Sequence, residues 1–279
     1  MVYCLTSCNN TEFPNYILEH NDNITYIQDC IPNDFVDLTV TSPPYDNART
    51  YNDNSLWSFD DYTLLIHELY RVTKPGGIVF WVVNDSTIDG SETCTSFKQA
   101  IYAKESAGFL LHDTMIWQKL NYIPNETSKR YQAAFEYMFV FSKGKPKTFN
   151  PIKVVSEGYY TRKPRTDIKF RQKDGTFMDI NGVCFAKPWK FHTNIWEYGS
   201  GKTTNHPAVF PDKLARDAII SWSNEGDIVL DPFMGSGTTG KMAVLENRKF
   251  IGIDINKSYI DMAQELITKA LEKKDMSNS

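Results

Sequence analysis

Two short stretches carry most of the chemistry this sequence can offer. The first is Ser42-Pro43-Pro44-Tyr45, which closes an apolar, β-rich run at residues 35–41. Proline cannot continue a hydrogen-bond ladder, so the strand stops there, and two consecutive prolines hold the backbone in one direction. Ser42 brings a hydroxyl that accepts or donates, Pro43 a carbonyl that accepts, and Tyr45 a flat aromatic face. Together they could grip an amino group and stack the ring that bears it; the plainer alternative is a rigid loop with a packed tyrosine.

The second stretch runs from Asp231 to Gly240 (DPFMGSGTTG), between a strand and a helix. Gly235, Gly237 and Gly240 fit the GxGxxG spacing, and Asp254 closes the following strand. Glycines let backbone approach a ligand, the helix N-terminus offers unpaired amides, and an acid after the second strand can accept from ribose hydroxyls. That describes an adenosine-type site without saying which nucleotide. A nucleotide-hydrolysing P-loop is disfavoured: the spacing to Gly240-Lys241 fits, but Met242 stands where a magnesium-holding Ser or Thr belongs. A nicotinamide site and a ligand-free tight turn both stay open at this point, since strand–helix junctions favour glycine in any case.

Elements that could position these groups follow from periodicity. A helix is expected over residues 59–72, stopped by Lys74-Pro75-Gly76-Gly77, with a buried strand over 78–83. A second helix is expected over 93–107, then strands over 110–118 and 134–142. Towards the C-terminus, helices over 212–223, 238–246 and 257–271 alternate with strands over 228–230 and 249–253. The alternation predicts an α/β fold with a doubly wound, mostly parallel Rossmann-like sheet. Residues 143–205 break it, so the chain divides into residues 1–142, an inserted region 143–205, and residues 206–279.

The inserted region is also where positive charge collects. The chain has a net charge of −4, yet residues 143–173 hold ten Lys or Arg against two acids, Glu157 and Asp167. Arg162, Lys163 and Arg165 form its densest cluster, suited to phosphates; a merely solvated surface is the alternative. Tyr159, Tyr160, Phe170 and Phe177 are expected to form a small core for this region. The five cysteines are scattered without a CxxC pair, which indicates reduced thiols and no metal site. No basic-then-apolar leader and no membrane-length apolar run is present, so a cytoplasmic location without membrane association is expected.

Taken together and in order, these motifs resemble the DNA methyltransferases that modify exocyclic amino groups, N4 of cytosine or N6 of adenine, in their β arrangement. TSPPY precedes DPFMGSGTT with a basic insertion between them, Lys74-Pro75-Gly76-Gly77 matches a core element, and His206-Pro-Ala-Val-Phe-Pro211 resembles an additional cofactor-binding motif. The resemblance covers most of residues 24–265. It implies S-adenosylmethionine as cofactor, with Asp29 near its adenine, Asp254 on its ribose, and Phe233 beside it. It places Gly235, Gly237 and Thr238 around the methionine portion, Asp231 orienting the loop or the cofactor amino group, and His206 and Phe210 on one wall. Ser42, Pro43, Pro44 and Tyr45 become the catalytic turn. Arg162, Lys163 and Arg165 become contacts to double-stranded DNA from which the target base is flipped. Ser at position 42 leans towards cytosine N4, with adenine N6 the alternative; a non-catalytic DNA-binding module of the same fold is a third reading. A cognate restriction endonuclease and a homodimer are compatible with this family.

Overall fold

The structure, a computed structural model, describes residues 5, 13–44, 57–121, 129–157, 159, 163–166, 168–180, 185–199 and 211–278. The chain forms two compact units, one of Met1–Asn150 with Asn194–Ser279 and the other of Pro151–Thr193.

The first unit is built on an eight-stranded sheet. Its strands are β1 (Tyr16–His20), β2 (Val36–Thr41), β3 (Thr73–Val83), β4 (Leu110–Lys119), β5 (Phe135–Ser142), β6 (Ile195–Tyr198), β7 (Ile228–Asp231) and β8 (Lys249–Asp254). They lie in the order β1-β8-β7-β2-β3-β5-β4-β6. Of the eight, β5 alone runs against the others, pairing antiparallel with both β3 and β4. The helices are α1 (Asn23–Cys30), α2 (Phe59–Val72), α3 (Thr95–Glu105), α4 (Asp212–Trp222), α5 (Thr238–Leu245) and α6 (Lys257–Asn278).

Helices cover both faces, which is why every residue of β2 is buried and β3 reads as an unbroken apolar run from Ile78 to Val83. In β3 the alternate residues Val79, Trp81 and Val83 join the cluster formed with α1, α2 and α3. Phe80 faces the other way and stacks on Trp196 of β6 at 6.0 Å. Helix α2 buries Tyr62, Leu65, Ile66, Leu69 and Val72 on one stripe and begins at a capping box in which Ser58 and Asp61 exchange hydrogen bonds.

The Pro-Gly-Gly signal ends α2 as expected, but β3 begins at once, at Thr73, rather than at residue 78. Thr73 pairs with Val36 and Ile78 pairs with Leu38, so residues 74–77 bulge out opposite a single residue of β2, Asp37. The glycines make this possible. Gly76 has φ +81°, and a Cβ on Gly77 would lie 2.8 Å from the Asp37 carbonyl oxygen. Three elements of this unit escape the periodicity, the strands β1 and β6 and the short helix α1.

The insertion is also shorter than residues 143–205. Lys143 is tied into the first unit, donating to Asp34 at 2.7 Å and to the Tyr70 carbonyl at 2.9 Å. Asn150 donates its backbone N–H to the Ser221 carbonyl of α4. At the other boundary, β6 pairs in parallel with β4. The second unit consists of two antiparallel pairs, Lys153–Val155 with Trp189–Phe191 and Ile168–Arg171 with Phe177–Ile180. The small aromatic core expected there does not form around Phe170 and Phe177, which are 59% and 66% exposed. A four-residue strand pair has too little surface to cover them. Among the described residues, no helix is long and apolar enough to cross a membrane.

Strand β6 is held to α4 by the Tyr198 hydroxyl, which donates to Asp217 at 2.6 Å in a buried setting. Burial first, and then Asp217, push the phenol well above its usual range, so it stays a donor at any working pH. Tyr198→Phe removes the short hydrogen bond to a buried carboxylate that Lys213 and Arg216 otherwise reach only at 3.7 Å, and should cost about 1–3 kcal/mol. Urea unfolding should show a lower midpoint with an unchanged slope; an unmoved midpoint would refute the tie.

Candidate active site

Five parallel neighbours (β1, β8, β7, β2 and β3) end at one rim of the sheet, and that is where both chemical stretches arrive. β2 delivers Ser42-Pro43-Pro44, and its neighbour β7 delivers Asp231 and the glycine loop. The register pairs Val229 with Leu38 and Leu230 with Thr39. Just beyond that pairing, Thr41 Oγ1 donates to Asp231 Oδ1 at 2.7 Å, joining residues 190 apart in the chain. The same carboxyl oxygen accepts the Phe233 N–H at 3.1 Å. One buried carboxylate thus sets both the exit of β2 and the first turn after β7. Ser42 is half-buried, Pro43 is buried and Pro44 is half-buried. Tyr45 lies outside the described residues.

The glycine loop is braced from three sides. Asp254, at the end of β8, accepts the Gly235 N–H on Oδ2 at 2.9 Å and the Asn256 N–H on Oδ1 at 2.8 Å. Met234 donates its backbone N–H to the Ile253 carbonyl at 3.1 Å. Asn23, at the start of α1, donates its side-chain amide to the Pro232 carbonyl at 3.1 Å. Gly237 caps α5 at φ +87°, and a Cβ there would sit 2.6 Å from the Cβ of Ala263, so only glycine lets α6 approach. Thr238 opens α5 and is buried. Phe233 is half-buried and meets Trp57 edge-on, ring centroids 4.9 Å apart. Trp57 itself is placed by the Ser58 capping box that starts α2.

This arrangement fits an adenosine-bearing group. Asp254 closes the strand that follows the glycine loop, and a carboxylate there is the kind of acceptor that ribose hydroxyls bond to. The N-terminus of α5 adds amides for a charged tail.

Not every expected residue reaches this rim. Asp29 lies on the exposed side of the last turn of α1, six residues along from its first residue and so about 10 Å down the helix from the loop. The acid that α1 does place at the rim is Asp22, whose side chain caps the helix by accepting the Thr25 N–H at 2.8 Å. The Asp-x-x-Thr spacing ahead of α1 is a helix-start signal and could have located it. Thr41 and Asn23 were also missed as loop-positioning residues, although Thr41 sits within the TSPPY run. His206, Phe210 and Arg162 lie outside the described residues. Lys163 and Arg165 belong to the second unit and are exposed.

Asp231 carries an electrostatic cost. Burial raises its pKa to about 6, against the lowering effects of Thr41, Thr239 and the Phe233 N–H, with Asp254 adding repulsion. The folded carboxyl therefore holds its proton more tightly than the unfolded one, whose pKa is about 4. Ionisation opposes folding: stability should fall as pH rises from about 4 through about 6, by up to ~3 kcal/mol, and then level off. Asp231→Asn keeps an oxygen for Thr41 and removes this titration. Its stability relative to the parent, from urea unfolding, should grow by that amount between pH 4 and 7; a constant difference across that range would contradict the assignment.

Similarity to known proteins agrees with this geometry. The family model described as DNA methylase, of the N6/N4 type, matches residues 36–265. The orphan methyltransferase M.BamHII of Bacillus amyloliquefaciens is 51% identical over 238 residues, covering 82% of this chain and 88% of that protein. Among solved structures, the cytosine-N4-specific PvuII DNA methyltransferase superposes with TM-score 0.66 at 19% identity, over 95% of this chain and 96% of its own. The Thermus thermophilus protein TTHA0409, in complex with S-adenosyl-L-methionine, superposes with TM-score 0.62 at 23% identity, over 91% of this chain and 94% of its own. The chain belongs to the DNA methylase family of N4/N6 amino-methyltransferases and is an S-adenosylmethionine-dependent DNA methyltransferase.

Proposed function

We propose that this chain methylates the exocyclic amine of a base flipped out of duplex DNA, with cytosine N4 as the target. The observation that carries the reading is the Thr41–Asp231 hydrogen bond, which ties the serine-diproline turn to the glycine loop at one sheet rim. Ser42, rather than an acid at the first position of the turn, favours cytosine over adenine within this family.

S-adenosylmethionine supplies an electrophilic methyl group when bound. The residues assigned to hold it are Asp254 for the ribose hydroxyls, Phe233 as a flanking ring, and the turn from Gly235 through Gly237 to Thr238 for the methionine end. Asp231 holds the loop in shape, and His206 and Phe210 close an outer wall. The Ser42 hydroxyl and the Pro43 carbonyl accept the two amine hydrogens of the base, and Pro44 keeps that turn rigid. Those bonds turn the nitrogen lone pair towards the glycine-loop side and stabilise the positive charge that develops on the amine. Tyr45 stacks on the extruded ring and offsets part of the unstacking cost.

The second unit supplies the duplex contacts in this reading. Lys163 and Arg165, with Arg162, neutralise phosphates, and exposed aromatics on the same unit offer apolar contact.

Two experiments test the assignment. Ser42→Ala and Tyr45→Ala should keep cofactor affinity by calorimetry while transfer of labelled methyl to DNA falls about 100-fold or more. Full activity in Tyr45→Ala removes the stacking role, and nucleoside mass spectrometry of the product decides between N4-methylcytosine and N6-methyladenine. A Lys163→Glu/Arg165→Glu double variant should bind DNA more weakly and with a shallower salt dependence, by about two phosphate contacts, at unchanged cofactor affinity. Unchanged DNA affinity would mean that this cluster is only a solvated surface.

A further inference from the structure

Beside the Ser42–Pro44 turn, a cavity of about 200 Å³ opens between Pro44, Trp57, Phe59, Val83, Asn84 and Gln99. Gln99 projects from α3 and is only 2% exposed. Trp81 of β3 is fully buried, and its indole N–H can only donate; it does so to Gln99 Oε1 at 2.9 Å. That bond settles which way round the amide sits. The oxygen is committed to Trp81, so the NH2 group is the end left over, and it has no partner among the described residues. The Gln99 backbone carbonyl is occupied as well, by the Tyr62 hydroxyl at 2.7 Å. Asn84 repeats the pattern: its Oδ1 takes the Asp85 N–H at 3.0 Å, leaving another NH2 without a partner among the described residues.

The cavity is therefore furnished with donors beside Pro44, in the turn whose Ser42 and Pro43 oxygens are proposed above to accept from the amine. A ligand offering an acceptor to these NH2 groups would give each a fixed hydrogen-bond partner. A base with an exocyclic amine has the matching edge. The ring nitrogen beside that amine is an acceptor in cytosine (N3) and in adenine (N1). In thymine and uracil it is an N–H donor, beside a carbonyl in place of the amine.

We propose that Gln99 is a specificity-determining residue, donating its side-chain N–H to the ring nitrogen beside the amine to be methylated. This rests on the flipped-base reading above and assigns the group that recognises the base's acceptor edge. Trp81 acts as a positioning residue, since it fixes the amide so that a donor and not an acceptor meets the base.

Gln99→Glu tests this while keeping an oxygen for the Trp81 N–H. At pH 8, kcat/KM for methyl transfer to DNA should fall about 100-fold at unchanged S-adenosylmethionine affinity. It should recover as the pH drops towards 5–6, where the protonated carboxyl donates again. The second arm uses the parent enzyme on duplexes whose target is 3-deazacytosine, or 1-deazaadenine if adenine is the methylated base. The parent should lose about 10- to 100-fold on the deaza base, and the variant should lose that preference. A parent enzyme indifferent to the ring nitrogen, or a Gln99→Glu enzyme as fast as the parent at pH 8, overturns the inference and leaves the methyl transfer standing. Failure of the parent to methylate any DNA overturns both.

Discussion

The hydrogen bond from Thr41 to Asp231 is the constraint around which the rest of this molecule is arranged. Its two ends come from neighbouring parallel strands, and each is followed by a segment that does chemistry. Because the acceptor is a buried carboxylate, the bond is stronger than a neutral pair, and it is also expensive. The raised pKa of Asp231 measures that expense. A neutral residue would be cheaper for folding but would hold the Thr41 hydroxyl and the Phe233 amide less firmly. Precision at the rim is obtained at the cost of stability in the core, a trade common at functional sites.

Outward from that bond the architecture is a set of braces. Asp254 ties the glycine loop to the end of β8, Asn23 ties it to α1, and Gly237 lets α6 press against it. On the opposite flank, Trp81 and Gln99 link β3 to α3, and the Ser58 capping box sets Trp57. The donor cavity and the adenosine-type site therefore both adjoin one rigid turn. Trp57 joins them, lining the cavity and meeting Phe233 beside the glycine loop, so a change in one wall reaches the other.

Much of this was legible in the residues. The stripe from Tyr62 to Val72, the apolar run of β3 and the C-terminal alternation of strands and helices carry the periods that burial imposes. The two motifs announced themselves through proline and glycine, whose backbone restrictions leave a local mark. What stayed hidden lacks such a mark. β1 is a five-residue strand (YILEH) whose ends are polar, and α1 is an eight-residue helix with few apolar residues, so neither rises above its surroundings. Without α1 in view, the sequence does not show that Asp29 sits at the far end of that helix while Asp22 caps its start at the rim. β6 is an edge strand with only Trp196 and Tyr198 buried, and it was absorbed into the insertion. Gln99 lies on a weakly amphipathic helix and bears no local mark in the sequence. Its role depends on Trp81, a partner 18 residues away whose orientation no local pattern encodes.

The sheet order has a consequence for biogenesis. β2 lies between β3 and β7, and β7 follows it by about 190 residues. While the chain leaves the ribosome, the N-terminal segment can pair β2 with β3 on one side only. Its other edge, made of residues that end up buried, stays an open ladder until Ile228–Asp231 emerges. Such an edge is a template for unwanted pairing. The nascent molecule thus passes through a long, aggregation-exposed interval in which neither half can bind or react. Competence arrives in a single late step, when the last third of the polypeptide slots in beside the first.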